Sequence, residues 1–322
     1  MSIISSAHGE AEAQPVTPAG GQPVGKKIEG RSPWRLAYER LRADRAAIIS
    51  LVTIIVIVLC AVFAPVFASI TGHPPNVQYV NTGENAAGGP VPPSSLFWLG
   101  TDSNGRDLLV RIVYGARISL EIGVLSTLLA VALGTILGLA AGFFGRVVDT
   151  IIARIVDVML SIPFLLLALS LAYIVGPSVL VVTFIIGGFS WAAVARIVRG
   201  QVMTMREKEY IEAARALGAG PWRIMIIDLL PNVIAQVIVY ASLLIPLAIV
   251  AEAGLSFLGV GVPAPTADWG EMISTAGGYY QYGYWWFLFF PSLALLLTTF
   301  AFNIFGDSVR DAFDPRGGQL FV

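Results

Sequence analysis

The chain has 322 residues, a net charge of -1, 56% hydrophobic residues and only 13% charged ones. A soluble domain carries about one quarter charged residues, so this balance is that of a membrane protein, and the missing basic excess argues against nucleic acid as a partner. The single cysteine, Cys60, lies in an apolar run, which excludes a disulfide within the chain and a metal thiolate cluster.

Residues 1–31 are rich in Gly, Pro, Ala, Ser and Gln and poor in large apolar groups, the composition of a disordered tail. Ser32 and Pro33 then form a helix start, an N-cap hydroxyl followed by a first-turn proline. The alternation of Trp34, Leu36, Ala37 and Leu41 with Arg35, Glu39, Arg40 and Arg42 predicts an interfacial helix over 32–45, or a simple extension of the first span. Crossing a hydrocarbon core of about 30 Å takes roughly 20 apolar residues. Six stretches qualify or nearly do: 46–68, 118–144, 151–175, 178–199, 233–252 and 284–306. The first begins too far from the start, and is too long, for a cleaved signal peptide.

Seventeen of the twenty Lys and Arg residues fall at the two ends of the sequence and in the second and fourth connections. With six spans, the positive-inside bias places those segments and both termini in the cytoplasm. The first external connection, 69–117, divides into a Pro- and Gly-rich irregular loop over 71–95 and a segment, 99–120, with helical apolar spacing at 108, 109, 112 and 113. The second part predicts an amphipathic helix on the outer surface. In the second span Gly134, Gly138 and Gly142 recur every four residues, which suits close approach of another helix of the same subunit. Gly176-Pro177-Ser178 predicts a tight turn between the third and fourth spans, and Pro163, Pro246 and Pro291 predict kinks.

Residues 207–232 form a charged island between apolar stretches. Tyr210, Ala214 and Leu217 share a helical face, with Ile211 beside them and Ala213-Ala214 keeping part of the surface shallow. Gly218 stands where a helix stops in the left-handed conformation, and Pro221 where another begins. Trp222, Met225, Ile226 and Leu229 follow at helical spacing, and Leu230-Pro231-Asn232 is the expected end of this second helix. The whole reads as a helix–turn–helix elbow gripped by something on the aqueous side.

Glu212-Ala213-Ala214, Gly218 and Leu230-Pro231 match the EAA loop of ABC importer permeases, with Asp228 a departure from the usual isoleucine. Leu99-Gly100-Thr101-Asp102, Gly105-Arg106-Asp107 and 114–120 resemble the signature before the second span in the dipeptide/oligopeptide/nickel permease family, in its C-type subunit. The stretches 255–263, Trp269-Gly270, Gly306-Asp307, Arg310-Asp311 and 314–316 resemble later parts of the same subunit. The resemblance covers roughly residues 33–317. It implies an all-α integral membrane protein with six transmembrane helices and the type I ABC importer permease fold, lodged in a bacterial inner membrane. It implies a homologous permease subunit, two cytoplasmic ATPase subunits and an external solute-binding protein as partners. Cofactors are implied on the ATPases alone, as ATP and Mg, and none on this chain. The coupling contact would use Tyr210, Glu212, Ala213, Ala214, Leu217, Gly218, Pro221, Trp222 and Pro231. Di- or oligopeptides are the implied cargo, with chelated nickel or another small solute as the alternative.

Gly20 to Lys27 approximates a phosphate-binding loop, but Lys27 replaces the magnesium-binding hydroxyl and no strand precedes it. His8 and His73 read as solvated loop residues, with no nucleophile or ligand cluster beside them. Ionisable residues at membrane depth default to function, which makes Glu252, Asp157 and Glu121 the candidates for the translocation path or gate, each beside a plainer reading. Asp157 is expected to pair with Arg154, Glu121 to reach interfacial water, and Glu252 to line the path or gate. The aromatic residues of 264–286 suit contact with a delivered solute or an interfacial belt. A secondary transporter would need inverted repeats, and a membrane enzyme a catalytic pair; neither is evident.

Overall fold

The computed structural model describes residues 33–314. The readings of residues 1–32, including His8 and Gly20–Lys27, and of 315–322 lie outside the described residues. Among those described, every regular element is a helix, and the only extended pairings are the bridges Glu84–Pro90 and Thr101–Asp107.

Helix α1 (Pro33–Ala43) lies against the end of the last helix, where Trp34 meets Phe313 edge-on at 5.3 Å and Arg40 donates to the carbonyl oxygens of Ala312 and Asp314. Both ends of the described chain are therefore at one end of the bundle. Asp44 caps α2 (Arg45–Val62) by accepting from the Ala46 N–H at 2.8 Å. The first span was expected as one helix over 46–68. It breaks at Phe63 and restarts as α3 (Ala64–Thr71), because Pro65 in the new first turn has no N–H to continue the ladder. A short turn of helix, α4 (Val80–Gly83), lies within the outer connection.

Helix α5 (Leu108–Phe144) is a single element of 37 residues. The separate surface helix expected before the second span is absent, since that segment is the first part of α5 and is buried. Its charges alternate with apolar residues because Arg106 and Arg111 face the buried Asp102, not because they face water.

The third span is two pieces, α6 (Arg146–Ser161) and α7 (Phe164–Val175), bent by 88° at Ile162-Pro163. Helix α8 (Val179–Met205) follows, and its register on α5 decides what the bent pair does. Gly134, Gly138 and Gly142 lie against Val194, Val198 and Val202 in that order, so α5 and α8 run parallel. Chain leaving the far end of α5 must return to the near end before α8 starts, so α6 and α7 together make one crossing. At 1.5 Å per residue the two arms at a right angle reach about 30 Å, the thickness of a hydrocarbon core. With α2, α5, α8, the helix ending at Phe257 and the last helix, the bundle has six crossings.

Helix α9 (Glu209–Ala216) is followed by α10 (Pro221–Arg223), a π turn (Ile224–Leu229) and α11 (Leu230–Phe257). The expected break at Leu230-Pro231-Asn232 does not occur, so the second arm of the elbow is the foot of the fifth span. The widened turn ends where the Leu230 N–H bonds to the Met225 carbonyl, just before Pro231, which lets the helix pass a residue that removes a ladder donor. Asp268 caps α12 (Trp269–Gly277), accepting from the Gly270 N–H at 2.7 Å. Helix α13 (Trp285–Phe313) runs two turns beyond the expected end at 306. An outer core gathers Leu108, Ile249, Trp269, Met272, Trp286 and Phe287. An inner core gathers Leu139, Val198, Val202, Ile211, Met225 and Leu229.

Candidate functional site

The island at 207–232 projects from the bundle end where α5 and α8 finish. Ile211 is fully buried in the inner core and Ala214 half-buried, so these two fasten α9. Tyr210, Glu212, Ala213 and Leu217 face outward, with Leu217 89% exposed. Two rings anchor the loop to the end of α5: Arg215 sits 5.9 Å over Phe143, and Trp222 meets Phe144 edge-on at 6.3 Å. Trp222 is nevertheless 66% exposed.

The turn is a complete Schellman motif. The Ala219 N–H bonds to the Ala214 carbonyl at 3.0 Å, the Gly218 N–H to that of Arg215 at 2.9 Å, and Gly218 takes φ +81°. Gly220 then leads into Pro221 at the first position of α10, and Pro231 lies exposed farther along. Burial and the charge of Asp228 push the Tyr210 phenol up from its ordinary value. Backbone geometry thus fixes an apolar edge, Leu217 and Trp222, beside an acidic one, Glu209 and Glu212.

The opposite end of the bundle is closed by a buried polar network. The Asp102 carboxylate takes the Arg106 Nε at 2.6 Å and has the Arg111 Nε 3.1 Å away. Arg111, only 1% exposed, also donates to the carbonyl of Pro265 and reaches Asn76 and Glu271. Asp107 caps α5 and holds the His73 Nδ1 at 2.7 Å. His73 is therefore not a solvated loop residue: it is buried, stacked on Phe97 and edge-on to Tyr79. Burial, with the charge of Asp107, also raises the Tyr79 phenol.

The three ionisable residues expected on a path or gate lie apart. Glu252, expected to line the path or gate, is fully buried in α11 and accepts from Ser119 of α5 (2.9 Å) and Ser256 (3.0 Å), so it ties α5 to α11. Asp268 lies beside it, and burial raises its carboxyl above the ordinary range. Glu121 is exposed on α5. Asp157 pairs mainly with Arg196 of α8 at 2.8 Å, with Arg154 at 4.0 Å, because the bend of the third span brings α6 onto α8. Nearby Asp149 and Arg199 form a second, bidentate α6–α8 pair.

The family described as binding-protein-dependent transport system inner membrane component matches residues 134–318, more than half of the chain. The chain belongs to that family. A second match, to the N-terminal transmembrane domain of oligopeptide transport permease C, covers residues 32–87. The dipeptide transport system permease protein DppC of Alkalihalophilus pseudofirmus is 40% identical over 285 residues, 88% of this chain and 90% of that one. The oligopeptide transport system permease protein OppC of Bacillus subtilis is 39% identical with the same coverage. OppC of Escherichia coli is 38% identical over 290 residues, 90% of this chain and 93% of its own.

As an inner membrane component, the permease is a multi-pass protein of the bacterial inner membrane, a transport subunit and not an enzyme. Family membership implies no cofactor on this chain and, in general terms, a partner permease, ATPases and a binding protein. What sequence reasoning missed in the permease is the outer network. The signal was present in Leu99-Gly100-Thr101-Asp102 and Gly105-Arg106-Asp107, where two acids and a basic residue sit around a glycine turn.

Proposed function

We propose that this chain is the permease subunit of an ATP-driven importer of di- or oligopeptides, forming half of the pathway with a homologous permease subunit. Two cytoplasmic ATPases bind ATP and Mg, and an external binding protein delivers the peptide. The bundle end carrying α1, α9 and the end of α13 faces the cytoplasm, in keeping with the excess of Lys and Arg in the described segments that meet there. The ATPases dock on Tyr210, Glu212, Ala213, Ala214, Leu217, Gly218, Pro221 and Trp222, with Pro231 in the helix behind them.

The observation that carries this reading is the exposed Leu217–Trp222 edge across the Gly218 turn, beside a helix α9 that Ile211 locks into the foot of α11. A push on α9 is delivered directly to a 37-residue helical stretch that crosses the bundle. Alternating access then needs only two packings of that bundle, biased by nucleotide and solute. The peptide assignment draws support from the relatives, which are dipeptide and oligopeptide transport system permease proteins. Reconstitution in proteoliposomes tests it: uptake of tri-alanine should require ATP, the ATPases and the binding protein together. Uptake by this chain alone would sink the ATP-driven mechanism, and ATP-dependent uptake of a nickel chelate but not tri-alanine would sink the peptide assignment.

A further inference from the structure

The bend in the third span leaves a cavity of about 190 Å³ midway along α5 and α8. Ser126 and Thr127 of α5, Phe164 of α7, Phe189 and Ser190 of α8 and Leu244 of α11 line it. Phe164 is the first residue of α7, and the residue before it, Pro163, offers no side-chain cap. The opening N–H groups of a helix have no partner within it, and they carry the positive end of the peptide dipoles. At membrane depth such donors are costly unless something accepts from them.

A second, independent feature converges on this cavity. Many hydroxyls in the crossing helices satisfy themselves: Ser170, Thr183, Thr204, Ser242, Ser292 and Thr298 each donate to a carbonyl three or four residues back. Thr135 and Thr127 of α5 do not, and of these two only Thr127 lines the cavity. It is 95% buried, at 5% exposure, and its Oγ1 has no hydrogen-bond partner. Ser190, half-buried, makes no hydrogen bond among the described residues either. The lining holds spare donors, apolar walls and no ionised side chain.

The geometry points to a resting site for the terminal carboxylate of the transported peptide, received by the N-terminus of α7 and the hydroxyls of Thr127 and Ser190. An anion suits a helix N-terminus lined by neutral donors, and the neutral lining holds it loosely enough to let it leave. This rests on the peptide reading above.

The test uses the complete importer in proteoliposomes, with Cys60→Ala removing the native thiol and Ser190→Cys placing one in the cavity. During ATP turnover a small methanethiosulfonate reagent should label position 190, and tri-alanine should slow labelling at least threefold. Tri-alanine amide, compared at equal ATP turnover, should slow it little, and adding Thr127→Val should abolish the protection. Independently, Thr127→Val with native Ser190 should narrow the preference for uptake of tri-alanine over its amide. Absence of labelling under all conditions, or equal protection by acid and amide, overturns the site while tri-alanine uptake continues. An importer that takes up no tri-alanine overturns the peptide reading and this site with it.

Discussion

Gly138 of α5 lies directly against Val198 of α8: a Cβ added to the glycine would stand 2.7 Å from the valine Cβ. The same fit recurs one turn earlier and one turn later, so the two helices touch backbone to side chain along their inner halves. Helix association in lipid depends on such close packing, because lipid tails are as apolar as leucine. Gly138→Ala is therefore expected to destabilise the purified protein by about 1–3 kcal/mol. Gly200→Ala, with open space around its Cβ, should gain up to about 1 kcal/mol from helix propensity. Thermal unfolding in detergent distinguishes the two; equal shifts would refute the packing account.

Arg111 is a buried cation at the centre of the outer network. Replacing it by Met removes the contacts to Asp102, Pro265, Asn76 and Glu271 together. Breaking a buried ionic arrangement from one side costs about 3–5 kcal/mol, so Arg111→Met should lower both melting temperature and level in the membrane. Glu271 touches the same guanidinium at 3.4 Å from a more exposed position, and Glu271→Gln should cost no more than about 1 kcal/mol. Comparable losses in the two variants would contradict this ranking.

Asp268 gives the outer end a pH dependence of defined sign. Burial raises its carboxyl above the ordinary value of 3.8, against the hydrogen bonds of Glu252 and Ser256 and the Gly270 and Glu271 N–H groups, which pull it down. The folded protein therefore keeps a proton that the unfolded chain releases. The associated stability is complete below the unfolded pKa and is lost as pH rises through the folded one. Asn caps a helix as well as Asp does, so Asp268→Asn preserves the start of α12 while removing one titration. As pH rises from the unfolded value of 3.8 the melting temperature should fall more steeply in the wild type than in this variant, and parallel curves would exclude Asp268 as a source.

The crossing helices, the glycine stripe and the turn at Gly218 are legible because each rests on a local rule: apolar length, four-residue spacing and the left-handed preference of glycine. The misread parts depend on distant partners. Arg106 and Arg111 have the spacing of a surface helix, and only the folded outer connection brings them onto Asp102. His73 finds Asp107 across 34 residues. Pro163 announced a kink, yet the right angle and the cavity it opens follow from how α6 and α7 pack on α8. Pro231 announced a helix end, and a π turn six residues long absorbs it instead. Nothing local to Glu252 announces its partners, the hydroxyls of Ser119 on α5 and of Ser256 one turn along α11.

Leu217 and Gly218 allow the coupling role of the loop to be separated from its fold. The Leu217 side chain touches water almost entirely, so Leu217→Asp should leave melting temperature and membrane level unchanged. Its loss should appear only when the ATPases are present, as uptake reduced at least tenfold with continuing ATP hydrolysis. Glu212→Lys should act in the same way by reversing charge on the exposed acidic edge. Gly218→Val acts differently: a branched residue at φ +81° costs about 1–2 kcal/mol, and the Schellman bonds that aim α9 at α10 weaken. That variant should lose coupling and also show a small drop in melting temperature. The quantity to measure is ATP hydrolysed per solute taken up, in proteoliposomes of matched protein content. Normal ratios in both Leu217→Asp and Glu212→Lys would mean that the force of the motor enters the bundle elsewhere.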